Sequence, residues 1–222
     1  TLLVDGDAEL YAIIGLSLRV TLTALLVACL VGLPAGALLA LGRFPGRSAV
    51  IIGFNALMGF PPVVAGLVVY LLLSRSGPLG SLSLLFTPTA MVAAQTLLIP
   101  PIVVSLTRSV IEDLWQEYEE QLRSLGATRL QAVRTLLWDG RVSLLTGVLA
   151  GFGRASAEVG AVLIVGGNIA GHTRTMTTAI TLETSKGELG LAVALGLVLL
   201  TLTLLLNTLA WFAGHWTRST MT

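Results

Sequence analysis

The sequence contains few charged residues. Only 11% of its 222 residues are Asp, Glu, Lys or Arg, whereas 55% are hydrophobic, and the mean hydropathy is +0.89. Thirteen basic and 12 acidic side chains are too few to cover the surface of a water-soluble domain of this size. This composition excludes an ordinary soluble globule, a disordered chain and a protein that binds nucleic acid through phosphate contacts. The chain is therefore expected to lie in a lipid bilayer.

Residues that bind metals or perform covalent catalysis are also scarce. Cys29 is the single cysteine and lies in an apolar run, so we expect a small buried residue and no disulfide or thiolate cluster. His172 and His215 lack the spacing of zinc ligands. The sequence also lacks the Gly-x-x-x-x-Gly-Lys-[Ser/Thr] loop that would bind ATP, and it lacks common hydrolase motifs. We therefore expect neither an enzyme nor a chain that binds a cofactor itself.

Long runs without charge predict membrane-spanning helices. No charged residue occurs between Arg19 and Arg43, between Arg47 and Arg75, or between Arg75 and Arg108. A span needs about 20 mostly apolar residues, because each helical residue rises ~1.5 Å against ~30 Å of hydrocarbon. We predict a single all-α polytopic domain over 1–222, with five spans at about 16–41, 49–73, 89–110, 142–165 and 189–213.

The basic residues predict the orientation of these spans. If the spans alternate, one side of the membrane receives most of the basic loop residues: Arg43, Arg47, Arg108, Arg123, Arg129, Arg134, Arg141 and Arg218. The other side receives Arg75, Arg174 and Lys186. Because short cytoplasmic loops carry the excess of Lys and Arg, the N-terminus is predicted outside and the C-terminus in the cytoplasm.

Two doubled prolines lie in the middle of predicted spans. Pro61 and Pro62 fall within the second span, and Pro100 and Pro101 fall within the third. Proline removes a backbone hydrogen bond and clashes with the preceding turn, so both spans are expected to be kinked. The kinks are either structural or mark helices that move or line a translocation path.

Small residues also recur at helical spacing. Gly32 and Gly36 form a Gly-x-x-x-Gly pair, as do Gly147 and Gly151. Such pairs allow two helix backbones to approach closely.

The polar segment 112–140 predicts two helices joined by a sharp turn. Tyr118, Leu122 and Leu125 are spaced for one face of a short helix. Gly126 is a natural stop for that helix. Thr128, with Gln131 three residues later, fits a capping box that starts the next helix. The segment either lies on its own membrane domain or docks in a groove of another protein.

The spacing from Glu120 to Gly126 and Ala127 resembles the EAA loop of ATP-binding-cassette (ABC) importer permeases. The surrounding Ser124-Leu125-Gly126-Ala127 and the position before the last spans strengthen this resemblance. The resemblance implies a type I ABC-importer permease fold with a short cytoplasmic coupling helix. It also implies that an ATPase subunit contacts this region through Glu119, Glu120, Leu122, Leu125, Gly126 and Ala127.

The stretch 151–190 resembles the oxyanion branch of these permeases. It contains Gly151-Phe152-Gly153-Arg154-Ala155, then Val165-Gly166-Gly167-Asn168, and then Thr173-Arg174-Thr175-Met176-Thr177. The run from 166 to 186 is most similar to the tungstate permeases. The resemblance implies a permease for tungstate, with molybdate or sulfate as the alternative cargo.

Arg154 and Glu158 place two opposite charges within the fourth predicted span. A spacing of four residues puts both side chains on one helix face, where they can pair. A charge inside a bilayer is costly, so both are expected to be buried in the bundle or beside water. They are either an internal ion pair, or a gate or a contact between two copies of the chain.

Several hydrogen-bonding residues follow the fourth predicted span. Hydroxyl, amide and guanidinium groups can donate hydrogen bonds to a tetrahedral oxyanion, but they can equally cap turns or bind a partner. Together with Pro61, Pro62, Pro100, Arg154 and Glu158, the predicted gate and translocation path contains Asn168, Thr173, Arg174, Thr175 and Thr177.

The resemblance implies an assembly in the cytoplasmic (inner) membrane. The chain would pair with a second copy of itself, and each copy would contact one ABC ATPase subunit that uses ATP and Mg²⁺. A periplasmic or extracellular protein would deliver the oxyanion, and transport would proceed by alternating access. The alternatives are a channel that is not coupled to ATP and an intramembrane enzyme.

Overall fold

The computed structural model describes residues 8–219, and it describes the side chains of all of these except residues 8, 210 and 213–219. His215 and Arg218 therefore lie outside the described side chains. The described chain is helical and contains no strand. Its helices are α1 Ala8–Leu41, α2 Arg47–Met58, α3 Pro62–Leu73, α4 Pro88–Leu98, α5 Pro100–Ser124, α6 Arg129–Asp139, α7 Arg141–Ser156, α8 Gly160–Gly166, α9 Met176–Lys186 and α10 Leu189–Ser219, with a 3₁₀ turn at Gly80–Leu82.

The chain forms two compact units. The first unit contains the described residues up to Ala24, together with Phe60–Leu98 and Phe152–Leu205. The second contains Leu25–Gly59, Ile99–Gly151 and the described residues from Leu206 onward. Helices α3, α4 and α8 build the main core of the first unit around Ala65, Val69, Ala90, Met91, Ala161 and Val165. The end of α1 packs with α5 and α6 in the second unit, around Ala37, Ile111, Ala132 and Leu136.

The predicted close approach of two helices occurs in the second unit. A Cβ atom added to Gly32 would lie 2.8 Å from Cγ1 of Val103, and one added to Gly36 would lie 2.7 Å from the carbonyl oxygen of Val104. Both distances are shorter than van der Waals contact, so only glycine allows α1 to approach α5 this closely. Cys29, on the same helix, is partly exposed rather than buried as expected, because α1 also presents Leu30 and Val31 on its surface.

Within the part of the chain that the structure describes, three helical stretches are long and apolar enough to cross a membrane: Glu9–Leu41, Pro88–Ser124 and Leu189–Leu209. The number rises to five if α2 with α3, and α7 with α8, each count as one broken span. The predicted second and fourth spans are therefore interrupted helices. The five-span topology itself stays a prediction.

The doubled prolines lie at breaks within the predicted second and third spans. Pro61 is the N-cap of α3, with φ −63° and ψ 125°, and Pro62 is the first residue of that helix. The predicted kink of the second span is confirmed, because α2 and α3 meet there at 100°. Pro100 and Pro101 occupy the first turn of α5, within a stretch, Pro88–Ser124, that still counts as one span. Both pairs begin a new helix, because proline lacks an N–H and fits the first turn, where that N–H needs no partner in the helix.

Candidate functional site

Helices α5 and α6 are joined by a sharp glycine turn, as the sequence predicted. The N–H of Gly126 donates to Arg123 O at 3.0 Å, and that of Ala127 donates to Leu122 O at 2.9 Å. These two bonds form a Schellman motif, which places Gly126 in the left-handed region, at φ +70°. Thr128 then caps α6, and its N–H donates to Oε1 of Gln131 at 2.8 Å. The predicted capping box is confirmed.

The apolar residues of this region separate into a buried group and an exposed group. Tyr118 and Leu122 pack, partly buried, on the core of the second unit. Leu125 is 81% exposed. The predicted face is therefore packed at Tyr118 and Leu122 and exposed at its end, where Leu125 is the C-cap of α5.

Helix α6 has one buried side and one exposed side. Ala132, Val133 and Leu136 are buried in the core, whereas Leu130 and Trp138 are 72% and 69% exposed. We call Leu125, Leu130 and Trp138 the turn surface. Large apolar side chains this exposed beside polar groups are typical of a surface that another protein covers.

The two acidic residues of the predicted coupling set differ in their contacts. Glu119 pairs with Nη2 of Arg123 at 2.7 Å and with Nη2 of Arg43 at 3.5 Å. Glu120 is exposed. Glu119 is therefore occupied within the chain, whereas Glu120 is accessible to a partner.

Arg154 and Glu158 form the predicted ion pair, but they do not share a helix. Helix α7 ends at Ser156, so Glu158 lies in the break before α8. Nη1 of Arg154 is 3.9 Å from Oε2 of Glu158, whose side chain is 3% exposed. Oε1 of Glu158 also accepts from the N–H of Ala161 at 2.9 Å. The buried carboxylate is thus held by one ion pair and by the first turn of α8, to which it supplies an acceptor.

The threonines after α8 use their hydroxyls within the protein. Thr173 is fully buried; its hydroxyl donates to Gly166 O at 2.5 Å and accepts from the N–H of Ile169 at 3.0 Å. Thr175 caps α9 in a reciprocal capping box with Thr178. Thr177 donates to the carbonyl oxygen of Glu158 at 2.9 Å. The alternative in which these residues cap turns is confirmed, while contact with an oxyanion stays a prediction.

Asn168 and Arg174 also have partners in the first unit. Asn168 adopts φ +50°, and its Nδ2 lies 3.4 Å from Thr178 O. Nη1 of Arg174 pairs with Oε1 of Glu9 at 3.2 Å. Oδ1 of Asn168 and Nε of Arg174 are buried and have no hydrogen-bond partner among the described residues.

A small cavity with a mixed polar and apolar lining lies in the first unit beside Glu158. Its volume of about 20 Å³ accommodates one water molecule and is too small for a tetrahedral oxyanion. Its polar lining comprises Ser17, Thr21, Gln95, Ser156, Glu158, Thr175, Thr177 and Thr203. Sequence reasoning missed Gln95, whose Nε2 donates to Ala155 O at 3.1 Å while its Oε1 has no protein partner. The sequence feature that could have identified Gln95 is a polar amide side chain within a run that contains no charged residue.

Known proteins resemble the chain over nearly its whole length. It is 43% identical over 206 residues to the tungstate uptake system permease protein TupB of Peptoclostridium acidaminophilum, covering 93% of this chain and 90% of the relative. A probable anion ABC transporter permease protein of Haloferax volcanii is 42% identical over 92% of this chain and 91% of its own length. The sulfate transport system permease protein CysW of Synechocystis is 32% identical, with coverages of 95% and 80%.

A family match agrees with these relatives. Residues 32–215 match the family described as the binding-protein-dependent transport system inner membrane component. The all-α, type I ABC-importer permease fold implied by the sequence resemblance is confirmed. The chain therefore belongs to the family of inner membrane components of binding-protein-dependent transport systems.

Proposed function

We propose that this chain is the membrane-spanning permease subunit of an ATP-driven importer for tungstate. The choice of tungstate as the cargo rests on one observation, the 43% identity to a tungstate permease over 93% of the chain. This similarity extends across both compact units, so it includes the turn surface as well as the threonines at 173–178.

The proposed source of energy for transport is a separate ABC ATPase subunit, present in two copies, which uses ATP and Mg²⁺. The turn surface is its docking site, with Glu120, Gly126 and Ala127 beside Leu125 and Leu130. The absence of a P-loop sequence from this chain supports a separate ATPase. The exposed apolar residues support docking, because desolvating large apolar side chains contributes most of the energy of such interfaces.

The remaining proposed partners are a second copy of this chain and an external oxyanion-binding protein. The external binding protein is supported by the description of the family, whose transport systems depend on a binding protein. In this assembly the N-terminus lies outside and the C-terminus in the cytoplasm, which the distribution of arginines supports. The turn surface then faces the cytoplasm, where ATP is available.

The proposed mechanism is alternating access. Closure of two ATPase subunits on ATP draws the two docked turn surfaces together and moves α5 in each copy. The helix starts at Pro62 and Pro100 interrupt the backbone hydrogen-bond ladder, which supports bending at these points. ATP drives the cycle only if the closed ATPase pair fits one permease state better than the other.

The cargo is proposed to cross between two copies rather than inside one. The cavity beside Glu158 is too small for the ion, and a buried carboxylate repels a dianion. Asn168 and Arg174 are partly exposed, which supports weak contacts along a path. Weak contacts suit transport, because a tight cage would retain the ion.

Uptake competition tests the cargo. Cells that contain the permease, its ATPase and its binding protein are given labelled tungstate with excess molybdate or sulfate. We expect unlabelled tungstate to abolish uptake and sulfate to have little effect. Equal competition by sulfate would favour the alternative that the 32% identity to a sulfate permease suggests. Uptake that persists without the ATPase would contradict an ATP-driven importer.

A further inference from the structure

The connection between α1 and α2 is tied to α5 by two arginine–glutamate pairs. Arg47 pairs with Glu112 through its Nη2 and the Oε1 of the carboxylate. Arg43 pairs with Glu119 at 3.5 Å. Glu112 and Glu119 are seven residues apart, so they lie on the same face of α5, two turns from each other. All four residues belong to the second compact unit.

The position of Arg47 is unusual for a cation. It is the first residue of α2, after Gly46 at φ +85°, and the positive end of the helix dipole disfavours a positive charge there. The local helix therefore gives no reason for an arginine at this position. The reason lies in the partners that the glycine turn brings within reach of the side chain.

Arg47 also caps the end of α1. Its Nε donates to Leu39 O at 2.9 Å, and its Nη2 lies 3.2 Å from Ala40 O. These carbonyls belong to the last turn of α1, where no partner within the helix exists, and that turn contains no basic residue of its own. Arg47, the first residue of α2, thus donates hydrogen bonds to two carbonyls at the C-terminus of α1 and pairs with Glu112 on α5.

The two pairs differ in strength. The Arg43 side chain is 69% exposed, so solvent screens its attraction to Glu119. The side chains of Arg47 and Glu112 are 29% and 27% exposed, and the planar guanidinium fixes several acceptors at once. Arg108 also pairs with Glu112, but it lies four residues earlier on the same helix and therefore connects nothing else to α5.

We propose that Arg47 and Glu112 are positioning residues that transmit movement of the turn surface to α1 and α2. We call this contact, with the carbonyls of Leu39 and Ala40, the Arg47 clamp. Helix α5 carries the turn surface at its end, and α2 contacts α5 without fully burying any of its own residues. A displacement of α5 therefore moves the end of α1 and the start of α2 through the Arg47 clamp. This inference rests on the proposed docking of an ATPase.

The test measures tungstate uptake per ATP hydrolysed by the purified complex in lipid vesicles. Arg47→Gln and Glu112→Gln should each lower this ratio at least tenfold, and the double variant should be no worse, because each removes the same link. The matched control is Arg108→Gln, which removes only the pair within α5 and should remain within twofold of wild type. The ATPase should still co-purify with every variant.

Three results would overturn the clamp: a normal ratio for Arg47→Gln, an equal loss for Arg108→Gln, or loss of the ATPase from the complex. The last would mean that the contact serves docking and not transmission. A second readout does not depend on the cargo. Spin labels at Ser48 and Gln116 in a Cys29→Ser background should give one narrow distance, which broadens in Arg47→Gln and not in Arg108→Gln. If wild type fails to import tungstate but shows this pattern, the proposed cargo is wrong and the clamp stands.

Discussion

The chain uses the same helix-starting motif twice, in two different environments. At the start of α6, Thr128 and Gln131 form a capping box in which both residues are exposed. At the start of α9, Thr175 and Thr178 form a capping box in which they are 5% and 1% exposed. The first box supports an exposed apolar surface, and the second is buried among hydroxyls and the carboxylate of Glu158.

The two boxes show that the formation of a capping box and its effect on the protein have different causes. A capping box depends on two residues within a stretch of four, so it can form wherever the sequence provides them. What the box does depends on burial, because an unpaired polar group costs little in water and about 1–3 kcal/mol in the interior. The exposed box should therefore matter for docking, and the buried box for stability.

The largest expected effect is at the turn that precedes the exposed box. Gly126→Val should abolish tungstate uptake, because a β-branched residue strongly resists φ +70°. An added Cβ would meet no other atom within 4 Å, so backbone strain is the only cause. Gly126→Asn is the matched control and should keep most uptake, since asparagine tolerates this conformation. Normal uptake by the valine variant would contradict the docking role of the turn.

The next effect is expected at the fully buried threonine near the second box. Thr173→Val should lower the free energy of unfolding by about 2–4 kcal/mol, because Gly166 O and the N–H of Ile169 each lose a partner. Thermal unfolding in detergent measures this. Thr173→Ser keeps the hydroxyl and should lose much less. A valine variant as stable as wild type would mean that these bonds contribute nothing.

Removing the buried cap should have a smaller effect on the same scale. Thr175→Ala should cost about 1–2 kcal/mol, at the upper end for a helix cap, because the N–H of Thr178 is buried with it. Unfolding in detergent again provides the measurement. If tungstate uptake per folded molecule also fell, Thr175 would contact the cargo as well as cap the helix.

The exposed cap should have the smallest effect on stability. Thr128→Ala should cost about 0.5–1 kcal/mol, since water replaces the lost acceptor. The ATPase should nevertheless bind more weakly, because α6 begins less regularly beside Leu130. A loss of stability equal to that of Thr175→Ala would remove the distinction between the two boxes.

The sequence predicted the features that depend on near neighbours. The turn at Gly126 and the box at Thr128 follow from local backbone rules and are confirmed. The role of Thr175 was left open, because its hydroxyl equally suits a cap of a turn, a partner surface and an oxyanion. Burial decides between these interpretations, and burial is set by distant residues.

Features that depend on distant partners could not be predicted. Arg47 and Glu112 are 65 residues apart, and each alone is an ordinary charge at the end of a hydrophobic run. Glu158 was placed on a helix with Arg154, because residues 157–159 contain no proline or glycine that marks the break. The proline pairs were placed within spans, as found, but the 100° angle at Pro61 and Pro62 depends on how α3 packs against other helices.

Co-purification of the ABC ATPase with the solubilised permease tests the central claim most directly. Leu125→Asp/Leu130→Asp replaces two side chains that are 81% and 72% exposed, so the fold should remain stable. We predict that the ATPase co-purifies with the wild-type chain and is lost from the double variant, while both unfold at the same temperature. An ATPase that binds the double variant as tightly as wild type would contradict docking at the turn surface.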